Sequence, residues 1–228
     1  MDRSVAEAQR ELRELMQRDF PLPFQPQGAL ASTPLRHSAV LILFGALDRK
    51  PAVDGATTVP PELDVLLTRR ADGMRHHAGQ IAFPGGGVEA IDLDIVGTAL
   101  REAHEETGLD PAGVEVLGAL PAIHIPVSNN LVTPVVGWWR LPSEVAADHS
   151  ESVEVFRTPV AELLSPAARG TSVLDRDGFR HRGAAFKLGP RFGEHTVWGF
   201  TGILLATLFD ELGWAEPWDP QRELPVQP

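Results

Sequence analysis

The stretch at 92–108, DLDIVGTALREAHEETG, leaves its backbone little choice. Apolar residues recur at helical spacing, Asp92 has the side chain of an N-cap, and Gly108 supplies a left-handed stop. The spacing predicts a helix from 92 to about 107. A helix turns about 100° per residue, so with Glu102 as origin Glu106 falls at about +40° and Glu105 at about −60°. Leu93, Val96, Leu100, Ala103 and Thr107 fall on roughly the opposite side. The expectation is a helix that buries that side and aims three carboxylates at one point. Acids in a last turn meet the negative end of the helix dipole and repel one another. On the helix alone two readings stay open. One is a solvated helix end, with Arg101 and Glu105 an ordinary i,i+4 pair. The other is a grip for a divalent cation, which removes both costs.

The rest of the chain mixes strand-like and helical patterns without a regular βαβ alternation, which predicts an α+β domain, a layered α/β/α arrangement. Val5, Ala8, Leu12, Leu15 and Met16 mark an amphipathic N-terminal helix, and 21–28 reads as a Pro-rich linker. Residues 39–47, 63–68, 114–120, 131–140, 154–156, 179–188 and 196–198 read as strands. A polar, Pro-rich loop fills 48–62, a short helix is expected near 159–164, and 200–212, apolar nearly all round, reads as a buried helix. The expected organisation is an N-terminal helix and linker at 1–30, one domain at 31–215, and a loose Pro-rich tail at 216–228.

Composition narrows the function classes. With a net charge of −11 and no Lys/Arg run, the 228-residue chain is expected to bind no nucleic acid. A small polyphosphate stays accessible if metal ions supply positive charge. No cysteine is present, which excludes disulfides, thiolate chemistry and Cys-based zinc sites. The N-terminus, MDRSVAEAQRE, lacks the apolar core of a secretory signal, and the apolar runs at 39–47 and 202–209 are too short to span a bilayer. The expected location is the cytoplasm, without membrane partners and with room for a homo-oligomer.

Ahead of the helix stand Phe83, Pro84, Gly85, Gly86 and Gly87. Glycines let the backbone approach a ligand closely. No Gly-Lys-Ser/Thr follows, so this is not a P-loop. The combination of glycine run and acidic helix resembles the Nudix box: Gly, five residues, Glu, seven residues, then Arg-Glu-apolar-x-Glu-Glu-x-Gly-apolar. Gly87, Arg101, Glu102, Ala103, Glu105, Glu106, Gly108 and Leu109 match, while Leu93 stands where the first Glu belongs, flanked by Asp92 and Asp94. The segment LLTRRADGMRHHAGQIAFPGG is similar to a second signature, that of the coenzyme A pyrophosphatase branch of the Nudix hydrolases. Leu66, Leu67, Thr68, Arg75, Gly79, Phe83, Pro84, Gly85 and Gly86 fit in register, and Ala71 replaces its Ser. In that branch an apolar residue preceded by Asp is common at the position of Leu93.

The resemblance implies a Nudix-type α/β/α sandwich with a mixed central sheet. It implies Mg²⁺- or Mn²⁺-dependent hydrolysis of a nucleoside diphosphate derivative, here a coenzyme A-like substrate. Carried onto this chain, Glu102, Glu105 and Glu106 are the metal ligands. Arg101, Glu102 and Glu105 are the catalytic candidates, with Glu102 the first choice as general base. Arg75, Gly79, Phe83, Pro84, Gly85 and Gly86 are the substrate-binding candidates, Arg75 through its phosphate-matching guanidinium. Another substrate such as ADP-ribose, or a nucleotide-binding domain without turnover, are the alternatives. The histidines show no metal-ligand spacing, and Trp138, Trp139 and Trp198 are expected to pack rather than stack on a base.

Overall fold

The computed structural model describes residues 3–24, 34–46, 51–52, 55–73, 78–176 and 179–226. The chain opens with helix α1 (Val5–Leu15), whose Ser4 and Glu7 form a reciprocal capping box. Its buried residues Ala8, Leu12 and Leu15 are the apolar face the spacing predicts. Each fully buried leucine contributes about 1.5–3 kcal/mol, enough to hold α1 on the body.

Strands β1 (Arg36–Ala46), β2 (Leu63–Arg70), β3 (Ile81–Ala82) and β4 (Gly85–Gly87) precede helix α2 (Ile95–Thr107). Strands β5 (Val114–Ala119), β6 (Ile123–Ile125), β7 (Asn130–Trp139) and β8 (Ser152–Pro159) follow. Together these strands make one mixed sheet: β1 runs parallel to β7, and the other pairings are antiparallel. The recorded register of β1 on β2 covers only Phe44–Ala46 against Leu63–Val65. At the other end the strands splay and the β3–β4 segment enters the wedge. Ala82 pairs with Thr68 of β2, and after Pro84 the chain changes partner, so that Gly85 pairs with Val40 of β1.

Side chains alternate across a strand, and both faces of this sheet are covered. Leu41, Leu43, Leu66 and Val135 pack with Ala99 and Ala103 of α2. Ile42, Phe44, Val65, Leu67 and Val136 share the opposite core with α1. That core also contains Leu204, Leu205 and Leu208 of α4 (Gly199–Glu211), which follows α3 (Val160–Leu164), β9 (Arg169–Arg176), β10 (Phe179–Lys187) and β11 (Thr196–Val197). The architecture is the expected α/β/α sandwich. Strands β9 to β11 join β12 (Glu223–Pro225) in a second sheet ordered β11-β10-β9-β12. Helix α4 is apolar all round because it touches both bodies. Aromatic contacts run from Phe44 through Trp214 and Phe209 to Phe186, with centroids 6.1, 6.3 and 5.9 Å apart.

Three local expectations are corrected. The cap of α2 is Asp94, which accepts from the Gly97 amide; Asp92 serves another partner. Leu93 precedes the helix and is 99% exposed, so it does not share the buried face. The tail is docked rather than loose: β12 pairs in parallel with β9, and Trp218 lies 4.8 Å over the buried guanidinium of Arg169, which Asp210 holds at 2.9 and 3.0 Å. The free edge of β9 needs a hydrogen-bonding partner, and a nearby Pro-rich segment can supply one despite its composition. The linker read at 21–28 lies outside the described residues from 25 onward.

On the α2 side, at the end of the sheet where β1 and β2 still pair, Asp64 is fully buried and makes a 2.6 Å ion pair with Arg157. Arg157 also stacks 4.6 Å over the Trp139 ring and donates to the Ala46 carbonyl at 3.0 Å. The ion pair is close but poorly aligned, and among the described residues neither Asp64 oxygen receives a well-directed hydrogen bond. Burial pushes the Asp64 carboxyl up to about 7, against the pull of Arg157. Breaking one side of such a pair leaves a charge without its counter-ion. Asp64→Asn is expected to cost about 3 kcal/mol, the low end for a buried pair because Arg157 retains some solvent. Urea unfolding of Asp64→Asn and of Asp64→Asn/Arg157→Met checks this, with the double variant recovering most of the loss.

Candidate active site

The wedge between β1 and β2 brings the glycine run against α2. A Cβ on Gly85 would lie 2.3 Å from the Ala39 carbonyl oxygen, so only glycine lets β4 approach β1. A Cβ on Gly86 would lie 2.5 Å from the Glu102 carboxylate. The glycines thus form a backbone floor on which one acid of the helix rests.

Arg101 fixes that helix to the loop before it. Its Nε and Nη2 donate to Asp92 at 2.8 and 3.0 Å, and Nη2 also donates to the Gly87 carbonyl at 2.9 Å. Nη1 donates to Glu102 at 3.0 Å and Glu105 at 2.9 Å. These five bonds match the donor capacity of a guanidinium. Asp92 is held well below the usual carboxylate range by Arg101 first, then by the Glu89 amide and the Thr98 hydroxyl. The sequence suggested the Glu105 contact; the larger role of Asp92 was visible only as an acid beside Leu93.

The three helix acids occupy different surroundings. Glu105 is the outer one, its side chain 55% exposed. Glu102 is half-buried on the glycine floor; burial raises its pKa against the Arg101 charge, and Glu105 and Glu151 add to the rise. Glu106 is 3% exposed and lies on the buried face of α2, contrary to the expectation of one acidic face opposite the apolar one. Burial pushes its carboxyl up to about 8. Arg70, 3.9 Å away, and the Ser152 hydroxyl, which donates to Oε2 at 3.2 Å, oppose that rise. Among the described residues Oε1 has no hydrogen-bond partner.

Sequence reading missed Glu151. It stands on the turn before β8, exposed, and its charge acts on both Glu102 and Glu106. Its carbonyl accepts from the Ala71 amide at 2.8 Å. The signature position where Ala replaces Ser therefore lies beside this acid. Arg70 and Ser152 were missed as well, because partners from β2 and β8 leave no local spacing pattern.

The remaining candidates are placed as follows. Phe83 is 2% exposed and belongs to the core of α1 and α4, so it shapes β3–β4 from behind. Pro84 is buried and its carbonyl accepts from Leu41 at 2.9 Å. Gly79 has φ +68° in the turn before β3 and borders a hollow of about 300 Å³ with Gln80, His195 and Trp198. Trp138 and Trp139 are core residues. Arg75 lies outside the described residues.

The donor set fits a hard divalent cation. All its ligands are carboxylate oxygens, and among the described residues the buried Oε1 of Glu106 accepts no hydrogen bond, with Arg70 3.9 Å from it. Among the described residues no three acidic or imidazole side chains already converge as a cation cage. Glu102 and Glu105 are instead drawn to Arg101.

The site is thus an acidic helix on a glycine floor in a splayed mixed sheet. The chain belongs to the Nudix family: the family model described as NUDIX domain matches residues 48–174. It is 34% identical over 206 residues to the protein called uncharacterized Nudix hydrolase NudL of Shigella flexneri serotype 5b, covering 89% of this chain and 98% of that one. It is 37% identical over 149 residues to the NudL of Enterobacter sp. strain 638, covering 65% and 75%. Among solved structures it is similar to RenU, a Nudix hydrolase from M. smegmatis, with a TM-score of 0.41, 24% identity and 54% and 70% of the two chains covered. The NUDIX domain of Shewanella oneidensis NrtR, solved with ADP ribose, gives a TM-score of 0.43 at 19% identity, covering 62% and 82%. Nudix hydrolases act on nucleoside diphosphate derivatives and generally use divalent metal ions. No helix among the described residues is long and apolar enough to cross a membrane.

Gly86→Ala is expected to push Glu102 off its floor and lower turnover at least tenfold. The thermal midpoint should move little, because the displaced atoms end a flexible side chain. Paired activity and melting measurements check this. Glu106 gives a pH signature in EDTA. Its folded-state pKa is raised, so its favourable contribution is complete below the ordinary value of 4.5 and is lost as pH rises through about 8. Glu106→Gln removes that slope. Its melting temperature should therefore gain on the parent as pH rises from 4.5 to about 8.

Proposed function

We propose that the chain hydrolyses the pyrophosphate bond of coenzyme A or acyl-coenzyme A, in the cytoplasm. The products are adenosine 3′,5′-bisphosphate and 4′-phosphopantetheine or its acylated form. The observation that carries this reading is the signature from Leu66 to Gly86, in register with the acidic helix box. Its described residues supply the end of β2, the turn at Gly79, strand β3 and the glycine floor under Glu102. The segment that resembles the branch is thus also the segment that builds one wall of the site.

Glu102, Glu105 and Glu106 are assigned to hold Mg²⁺ or Mn²⁺, with Glu151 as a further acid at the same place. When bound, the ion neutralises the diphosphate oxygens and lowers the pKa of a water. Hydrolysis breaks a bridging P–O bond after water oxygen attacks phosphorus; one water proton must leave. Glu102 is assigned as its acceptor, because burial raises its proton affinity while Arg101 keeps its direction fixed. Arg101 and Asp92 keep the glycine floor and the helix in register. Arg75 is assigned to a substrate phosphate.

ADP-ribose or another nucleoside diphosphate derivative is the second reading, favoured by Ala71 in place of the signature Ser. A panel of coenzyme A, acyl-coenzyme A, ADP-ribose and NADH with Mg²⁺ or Mn²⁺, resolved by product mass, decides between them. The expected product is adenosine 3′,5′-bisphosphate from the coenzyme A compounds. Hydrolysis confined to ADP-ribose transfers the assignment, and hydrolysis of none leaves a binding domain. In the same assay Arg75→Ala should raise KM for coenzyme A with kcat nearly unchanged; an unaltered KM removes Arg75 from the site.

A further inference from the structure

We propose that Asp148 is a positioning residue that holds Glu151 at the active site. This inference rests on the reading of Glu102, Glu105 and Glu106 as the residues that hold the cation. Glu151 is exposed and lies on a turn, so its own packing does not fix it. The turn is nevertheless tightly bound. The Asp148 carboxylate accepts from the Ser150 amide at 3.2 Å, the Glu151 amide at 3.2 and 3.3 Å and the Ser152 amide at 2.9 Å, and also from the Ser150 hydroxyl. With these donors its lone pairs are occupied, which leaves it a brace rather than a cation ligand.

The brace is tied to the helix. The Asp148 amide donates to the Glu106 carbonyl at 3.2 Å, and the Ala146 amide donates to the Thr107 carbonyl at 3.0 Å. Carbonyls at a helix C-terminus lack intrahelical partners, so this loop satisfies them while anchoring itself to the acid-bearing turn. On the other side the Ala71 amide holds the Glu151 carbonyl, and Ser152 reaches Glu106. His149 adopts φ +64°, a left-handed conformation that a non-glycine residue keeps only when its surroundings enforce it. Its amide bonds to the Ser152 carbonyl at 2.9 Å, closing the turn. Among the described residues Oε1 of buried Glu106 accepts no hydrogen bond, and the Arg70 guanidinium stands 3.9 Å from it.

The test uses the full chain and the variants Asp148→Ala, Asp148→Asn, Glu151→Gln and Asp148→Ala/Glu151→Gln. Mn²⁺ binding is measured by calorimetry, and kcat and KM on the substrate the parent hydrolyses. Asp148→Ala should weaken Mn²⁺ binding and lower kcat about tenfold, with KM nearly unchanged. Asp148→Asn, which keeps one carbonyl acceptor, should recover part of both. The double variant should be no worse than Glu151→Gln alone, since Asp148 acts through Glu151. Parental Mn²⁺ affinity in Asp148→Ala, or losses that add in full in the double variant, overturn the proposal. If Asp148→Ala does not fold, Asp148→Asn and its double variant decide by the same criteria. A parent that binds Mn²⁺ but hydrolyses no panel substrate removes the functional reading alone; the binding comparison still tests the brace.

Discussion

The site depends on one guanidinium. Arg101 spends its donors on Asp92, the Gly87 carbonyl, Glu102 and Glu105, joining the end of β4, the loop after it and the middle of α2. A charge this shielded from water is tolerable only with charged partners and complete hydrogen bonding. The requirement runs both ways. The loop is fixed because Asp92 needs Arg101, and Glu102 is aimed because Arg101 has a further N–H to satisfy. The exposed Leu93 sits in this knot as a bystander, and its neighbour Asp92 carries the interaction.

Around that knot the site is a sheet that fails to close. β1 and β2 pair where Phe44 meets Val65, then part to admit the β3–β4 segment. Pro84 permits the change of partner, since it has no amide to leave unpaired. Gly85 and Gly86 bring the backbone close enough for a helix acid to rest on it. A neighbouring wall comes from the turn before β8, with Glu151 outside and Ser152 inside. Glu106 is the unfavourable component: a buried carboxylate one of whose oxygens accepts no hydrogen bond among the described residues. Arg70 offsets only part of its desolvation, since burial still pushes the carboxyl up to about 8, and an acid shifted this far is a mark of a functional site.

Much of this was legible from residue order. Helix α2, its stop at Gly108, the Arg101–Glu105 contact and the central strands follow from local spacing and turn chemistry. So did the α/β/α layering, from strands and helices mixed without a regular βαβ alternation and from the resemblance to the Nudix box. Less legible were β4, whose glycines carry no strand propensity, and β12, which forms only because β9 offers an edge. The N-cap was misplaced by two residues because Asp92 and Asp94 are chemically equal candidates, and only the reach of Arg101 separates them.

The sequence by itself determined that three acids and an arginine share one helix beside a glycine run, for covalent spacing and helical period decide that much. It could not rank the acids. Burial separates Glu106 from Glu105, and burial is a property of what packs against the helix, here Arg70 from β2 and Ser152 from β8. Nor could it recruit Glu151, 45 residues beyond Glu106 in the chain. Only the tertiary structure decided which charges lose water and which share a site, because desolvation and charge proximity are set by distance in space rather than along the chain.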